Sequence, residues 1–356
     1  MTLRVRPPVP PMLARLAREL PDGAPGRYVF EPKWDGFRCL AFRDGPDVDL
    51  RSRHGRPLAR YFPEIVEALS AVPADAFALD GEIVLVRAGS FDFEALMSRL
   101  HPAATRVRRL ANEIPATFVA FDLLAEGDED LRESPFDARR RRLERLLAVA
   151  PPRVVLTPAT TDRAVAARWL DRRAGGGVDG VVAKEVDLRY QPGRRAMIKV
   201  KTLRTADCVV AGYRPYVDTP AVSSLLLGLY DEAGSLHHVG IVQAFTDRER
   251  VALVDELAPL RIPLDEHPWK LGFEIGRSPT GRLKGAAARW TPGMDHDWVP
   301  LRPRLVVEVT FDQVDGTRFR HPARVVRRRP DRDPRSCTLE QLELPAAAPP
   351  ADLVAR

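Results

Sequence analysis

The residues best able to do chemistry in this 356-residue chain lie in a few short segments. The first is Glu31-Pro32-Lys33-Trp34-Asp35-Gly36-Phe37-Arg38. A lysine amine attacks a phosphorus atom only when unprotonated, and burial or neighbouring positive charge is what removes its proton near neutral pH. The Asp35-Gly36 turn would hold Lys33 at the edge of a sheet, with Arg38 one turn along to meet ribose or phosphate. Leu79-Asp80-Gly81-Glu82 places two acids on an otherwise apolar strand. Buried carboxylates must be paired, so such a strand points to a site rather than to plain core. In Ile198-Lys199-Val200-Lys201 the two lysines alternate. On a strand, residues i and i+2 share a face, and two ammonium groups there repel each other unless an anion sits between them. These segments suit phosphoryl chemistry.

The elements that must carry these groups follow from hydrophobic period and turn residues. Residues 12–20 read as a short helix-like piece and residues 28–50 as strand, turn, strand, ending near Asp44-Gly45. Helices are expected at 62–71, 91–100 and 136–150, the last arginine-rich and closed by Pro151-Pro152. Residues 78–86, 116–124 and 154–156 read as strands. A helix at 162–172, a glycine turn at 175–177 and strands at 180–184 and 197–201 complete the first part. After Lys201 the texture changes. Short alternating strands at 206–213, 223–230, 236–241, 299–302 and 305–311, with one helix at 247–257, suit a small β-barrel of the OB type. The expected division is residues 1–203, residues 204–340 and an alanine- and proline-rich disordered tail at 341–356, with a boundary at 202–205.

Composition narrows the class. Lys and Arg total 55 against 49 Asp and Glu, a net charge of +6 that hints mildly at a polyanionic partner. Cys39, Cys208 and Cys337 are far apart and form no CxxC or Cys/His cluster. That argues against a zinc module or a disulfide framework and fits a reducing cytosol. No apolar run approaches the ~20 residues that span a bilayer, and the first residues lack a signal-peptide core. A cytoplasmic protein, in a bacterium associated with the nucleoid, is expected.

With these motifs in order, the sequence resembles the covalent nucleotidyltransferases, namely ATP-dependent DNA ligases, RNA ligases and capping enzymes, over residues 28–335. In length and layout it is most similar to the small two-domain actinobacterial ligases of the C type. The resemblance implies an α+β adenylation domain of antiparallel sheets flanked by helices, followed by an OB-fold domain. Lys33 would become lysyl-AMP. Glu31 would read the adenine edge, and Arg38 would lie near ribose or phosphate. Arg53, in Ser52-Arg53-His54-Gly55, would meet the nucleotide and the 5′-phosphate. Glu82 would bond the ribose hydroxyls, and Phe121 would stack on adenine. Asp179, in Asp179-Gly180-Val181-Val182-Ala183-Lys184, stands where the family has glutamate, one methylene longer, and would help Glu82 hold a divalent cation, Mg²⁺ or Mn²⁺. Lys199 and Lys201 would clamp the α-phosphate. Arg329-Pro330-Asp331-Arg332 stands where the family has R-x-D-K. Arg329 and Arg332 would orient the pyrophosphate of ATP, a planar guanidinium replacing the usual ammonium at Arg332.

The implied activity is sealing of 5′-phosphate/3′-hydroxyl nicks in double-stranded DNA, with ATP as co-substrate. It would proceed through lysyl-AMP and adenylylated DNA, by a monomer recruited in repair by end-binding proteins and polymerases. An RNA ligase, a capping-type guanylyltransferase and a noncatalytic DNA-end binding module are the alternatives. An NAD-dependent ligase is disfavoured, since its zinc module needs four cysteines and this chain has three.

Overall fold

Alternating apolar and polar residues build two sheets that face each other in the first part of the chain. The computed structural model describes residues 2–343 apart from 88–89, 102, 172–177, 202, 217, 271–276, 279–280 and 283–297. The chain divides into two units, Met1–Thr202 and Leu203–Glu343.

In the first unit, strands β1 (Ala14–Ala17), β2 (Tyr28–Trp34), β8 (Val178–Glu185) and β9 (Met197–Lys201) form one sheet in the order β1-β9-β8-β2. The second sheet contains β3 (Phe37–Asp44), β4 (Asp47–Ser52), β5 (Ala76–Val84), β6 (Thr117–Glu126) and β7 (Val154–Leu156). Their order is β7-β6-β5-β3-β4, and a short strand Glu129–Asp130 pairs β6. Pairing is antiparallel except for β1 with β9 and β7 with β6. Helix α1 (Pro63–Ser70), opened by a proline in its first turn, covers the outer face of the second sheet. There Ile65 and Leu69 pack with Cys39, Ala41, Phe77 and Leu79. The helix Arg163–Asp171 covers the outer face of the first sheet, where Trp169 packs with Phe30, Val181, Ile198 and Val200. Between the sheets lie Met12, Leu40, Phe42, Ala78, Leu124, Tyr190 and Met197.

This layering decides where the candidate residues point. On β9, Met197 faces the space between the sheets while Ile198 and Val200 face the outer helix. By the two-residue period Lys199 and Lys201 therefore share the inner face. Leu40 and Phe42 put Arg38 on the inner face of β3, as Ala76 and Ala78 put Asp80 on that of β5.

The second unit is a five-stranded antiparallel sheet. It comprises β10 (Arg204–Pro215), β11 (Val222–Tyr230), β12 (Leu236–Val242), β13 (Val299–Phe311) and β14 (Arg324–Arg328), in the order β12-β11-β10-β13-β14. A bridge between Val242 and Ala323, with the Ala323 amide donating to the Ile241 carbonyl at 2.8 Å, brings the two ends of the sheet together as an OB-type barrel requires. The helix Asp247–Leu257 starts with a capping box, Thr246 and Glu249 each satisfying the other's amide, and buries Leu253 and Leu257 in the same core as Leu225 and Val307.

Four expectations need correction. Residues 12–20 hold a strand, not a helix, because β1 finds its partner in β9, about 180 residues on. Residues 299–302 and 305–311 run as one strand. Pro303 sits where the register against β10 shifts between Val210 and Gly212, so its missing N–H costs no ladder bond. The helix Ala104–Glu113 and the strand Arg324–Arg328 were not expected. Residues 341–343 belong with the second unit, since Gln341 Nε2 donates to the Asp207 carbonyl at 3.1 Å. Residues 172, 175–177, 202 and 344–356 lie outside the described residues. Among the described residues no helix is long and apolar enough to cross a membrane.

Candidate active site

Two glycines let the site form. A Cβ on Gly36 would lie 2.1 Å from the Ile83 carbonyl oxygen, so only glycine permits the turn after β2 to press against β5. Gly180 has φ +144, and a Cβ there would meet the Val200 carbonyl oxygen at 2.0 Å. The resulting close approach of β8 to β9 and β2 sets Asp179 beside the lysines.

Lys33 Nζ donates to Asp179 Oδ2 at 2.6 Å, and Lys201 Nζ reaches the same oxygen at 3.2 Å. Asp179 is almost wholly buried, while the Lys33 side chain remains 21% exposed and so open to a substrate. The ammonium of Lys199 is held below its usual pKa, first by burial and then by Lys33, Lys201, Arg195 and Arg53. Lys33, Lys199, Lys201 and Arg53 thus form one positive field. Arg53 is exposed on the turn that follows β4. An arriving polyphosphate is the natural counter-charge.

On the facing sheet, Arg38 makes a two-pronged bond to Asp80, Nε to Oδ1 at 2.5 Å and Nη2 to Oδ2 at 2.6 Å. Tyr190 Oη donates to Asp80 Oδ2 at 2.7 Å and accepts from the Met12 amide at 3.0 Å. Burial opposes the charge on Arg38, but the Asp80 carboxylate prevails and holds its pKa above the usual range. The guanidinium lies 4.5 Å from the Phe121 ring centroid, and Lys184 Nζ lies 5.0 Å from it. Glu82 sits opposite Arg38 in the β3–β5 register. Burial pushes its carboxyl up to about 7, against the pull of Arg38 and Lys33 and with the help of Asp35 and Asp80.

Glu31, expected to read adenine, is buried in a second ionic cluster. Its Oε2 takes Lys184 Nζ at 2.8 Å, and its Oε1 takes Arg140 Nη1 at 3.2 Å. Arg140 comes from the helix Phe136–Leu146 and also donates to the Thr157 carbonyl at 2.8 Å. Arg140 and Tyr190 were missed in the sequence. Lys184 ends the Asp179 motif, and its alternation with Val182 on β8 would have placed it on the inner face.

Among the described residues no three His, Cys, Asp or Glu side chains are grouped to hold a metal alone. Glu82 and Asp179 offer hard carboxylate oxygens, the right chemistry for Mg²⁺ when substrate phosphates and water complete the shell.

Comparisons with known proteins supply the family. A model described as the ATP dependent DNA ligase domain matches residues 11–201, and one described as the ATP dependent DNA ligase C terminal region matches residues 218–332. DNA ligase C2 of Mycolicibacterium smegmatis is 52% identical over 97% of both chains. The chain belongs to the ATP-dependent DNA ligases. DNA ligase C of Mycobacterium tuberculosis is 49% identical to this ligase over 99% of both chains. A solved Lig E DNA ligase, only 20% identical, shares the fold with a TM-score of 0.54 over 89% of this chain and 99% of its own.

In the ligase's second unit, Arg329 and Arg332 both engage Asp207 of β10. Arg329 Nη1 is 3.0 Å from each Asp207 oxygen, and Arg332 Nε is 3.5 Å from Oδ2. Arg329 also binds Asp331.

Glu82 gives a pH signature. Its carboxyl is neutral below about 7 and ionised above. If ribose or metal binding needs the ionised form, kcat/KM for ATP in self-adenylylation should rise about tenfold from pH 6 to pH 8. Glu82→Gln should be slower at pH 8 and lose that slope. For stability the sign is opposite. A raised carboxyl pKa favours the folded state while the group is neutral, and that advantage is lost as pH climbs through about 7. A Glu82→Gln profile that kept the wild-type slope would assign the titration to another group.

Proposed function

We propose that this ATP-dependent DNA ligase seals nicks through a covalent Lys33–AMP intermediate. The observation that best supports this is the 2.6 Å bond from Lys33 Nζ to Asp179, made within the field of Lys199, Lys201 and Arg53. Asp179 would orient the amine. Lys33 Nζ, once deprotonated, attacks the α-phosphorus of ATP. An N–P bond forms, the bond to the bridging oxygen breaks, and pyrophosphate leaves with the electron pair. Lys199 and Lys201 stabilise the charge that builds on the α-phosphate. AMP then passes to the 5′-phosphate of the nick, with Arg53 and Arg38 as its contacts. The 3′-hydroxyl attacks that activated phosphate, joins the strand and expels AMP. Phe121 would stack on adenine, Glu82 bond the ribose and Glu31 set base preference from within its Arg140–Lys184 cluster. Arg329 and Arg332 would orient the pyrophosphate. A Mg²⁺ or Mn²⁺ ion, when bound by Glu82 and Asp179, would supply charge neutralisation at the phosphates. The physiological setting we propose is DNA repair, as a monomer recruited by partner proteins.

The deciding experiment takes the purified chain with ATP or GTP and magnesium, then nicked DNA or nicked RNA. Intact mass should rise by one AMP from ATP, and only the DNA nick should close efficiently. A gain from GTP alone, or faster closure of the RNA nick, would defeat the proposal.

A further inference from the structure

The sheet ladder is interrupted where it carries Lys33. Across β2 and β8, Pro32 pairs with Val181 and Trp34 with Val178, so Lys33 alone faces two residues, Asp179 and Gly180. An extra residue of this kind makes a β-bulge, which disrupts the ladder and re-aims side chains. Pro32, just before Lys33, has no N–H to donate. An amine that must meet a phosphorus atom in line therefore needs its backbone held by something other than the ladder.

Trp34, the next residue, supplies that hold. Its indole packs with Val84, Val119, Phe121 and Val178, and its ring centroid lies 5.6 Å from that of Phe91. In this apolar setting Trp34 Nε1 donates to Thr157 Oγ1 at 2.9 Å, a bond between two buried groups 123 residues apart. Thr157 directly follows β7. Its amide donates to the Ala120 carbonyl of β6 at 2.9 Å, and its carbonyl accepts from Arg140 Nη2 at 2.8 Å. The Thr157 backbone is thus tied to the strand of Phe121 and to the helix whose Arg140 binds Glu31, while its hydroxyl holds the residue beside Lys33. A buried indole N–H without an acceptor is costly, so this hydroxyl selects one orientation of the indole.

We infer that Thr157 is a positioning residue for the covalent step: its hydroxyl anchors the Trp34 indole and so sets where Lys33 Nζ stands relative to the α-phosphorus of ATP. The inference rests on Lys33 being the nucleophile. Fully buried itself, Thr157 acts through Trp34 and not on the substrate. Its effect is confined to the steps in which Lys33 gains or releases AMP. Closure of a nick that already carries AMP on its 5′-phosphate needs no amine and does not feel the anchor.

The test uses the whole chain in two assays, each run well below the Tm of the variant. One is single-turnover self-adenylylation with ATP and magnesium. The other is closure of a duplex whose nick already carries 5′-AMP, with magnesium and without added ATP. Thr157→Val keeps the branched shape and removes the acceptor. It should lower the adenylylation rate at saturating ATP about tenfold and change the half-saturating ATP concentration by less than about twofold. Closure of the adenylylated nick should stay within about twofold of wild type. Thr157→Ser, which keeps the hydroxyl, should recover most of the rate. In a Trp34→Phe background Thr157→Val should have little further effect, because donor and acceptor act together. A wild-type adenylylation rate in Thr157→Val overturns the inference. So does an equal loss in both assays, which is what a residue serving the fold alone would give. Should Thr157→Val not fold, Trp34→Phe, which removes the donor, carries the same split between the two assays. Peptide mapping of the wild-type adduct separates this inference from the reading beneath it. AMP on a residue other than Lys33 defeats both, whereas AMP on Lys33 with an undiminished rate in Thr157→Val defeats this one alone.

Discussion

Lys33→Arg should fold like the wild-type protein, bind a nick and show no mass gain with ATP and magnesium. The guanidinium keeps the charge that faces Asp179, so the ion pair at the centre of the site survives. It remains protonated at any workable pH and is no nucleophile. Lys33→Ala should be equally inactive and only modestly less stable, by about 1–2 kcal/mol, because Lys201 still reaches Asp179 at 3.2 Å and the carboxylate is not stranded. Nick affinity should change by no more than about threefold in either variant, since phosphate contacts made by other cations are untouched. Loss of the covalent step should remove sealing below detection, not merely slow it, if Lys199 and Lys201 only stabilise phosphate charge and neither can replace Lys33 as nucleophile. Intact mass before and after ATP reads the first claim, and a gel of sealed against unsealed nick reads the second. An AMP adduct on the Lys33→Arg protein would show that the nucleophile lies elsewhere.

The parts of the site visible in the sequence are those where local period dictates direction. Lys199 and Lys201 share a face because a strand alternates, and the structure places them with Met197 towards the space between the sheets. The strands on either side of Asp35-Gly36 were readable for the same reason, but not that the turn carries the chain from one sheet to the other. What was hidden depends on contacts between distant segments. Arg140 sits in a helix that reads as an ordinary charged amphipathic helix, yet its guanidinium reaches Glu31, 109 residues away. Residues 12–20 looked helical, since a four-residue strand such as Ala14–Ala17 carries too little pattern to reveal a parallel partner far along the chain. The acids of Leu79-Asp80-Gly81-Glu82 were recognised as a pair, but the sequence could not separate them. Asp80 is wholly buried and committed to Arg38 and Tyr190, whereas Glu82 is the half-buried one whose charge titrates near neutrality. Arg329 and Arg332 were legible as a basic motif but not as a pair already clasped by Asp207.

That division of labour predicts the second large effect. Asp80→Asn should cost about 3–5 kcal/mol, because it leaves the Arg38 guanidinium without its carboxylate in a place where Asp80 is 0% exposed. If the first unit, Met1–Thr202, unfolds on its own, that is a fall in its Tm of about 10 °C. Tyr190→Phe removes a single hydroxyl from the same carboxylate and from the Met12 amide, and should cost about 1–3 kcal/mol. The two should not add, since both act on one network, and a double variant should be less destabilised than the sum. The functional consequence separates positioning from bulk stability. Arg38 lies over the Phe121 ring at 4.5 Å, so loosening the guanidinium disturbs the surface against which adenine would stack. Assayed well below its Tm, Asp80→Asn should raise KM for ATP in self-adenylylation by about tenfold, while Tyr190→Phe, which leaves both prongs of the Arg38–Asp80 bond intact, should change it by less than about threefold. Equal KM changes in the two variants would mean that Asp80 serves the fold alone. An unchanged Tm in Asp80→Asn would mean that water, not the Asp80 carboxylate, satisfies Arg38.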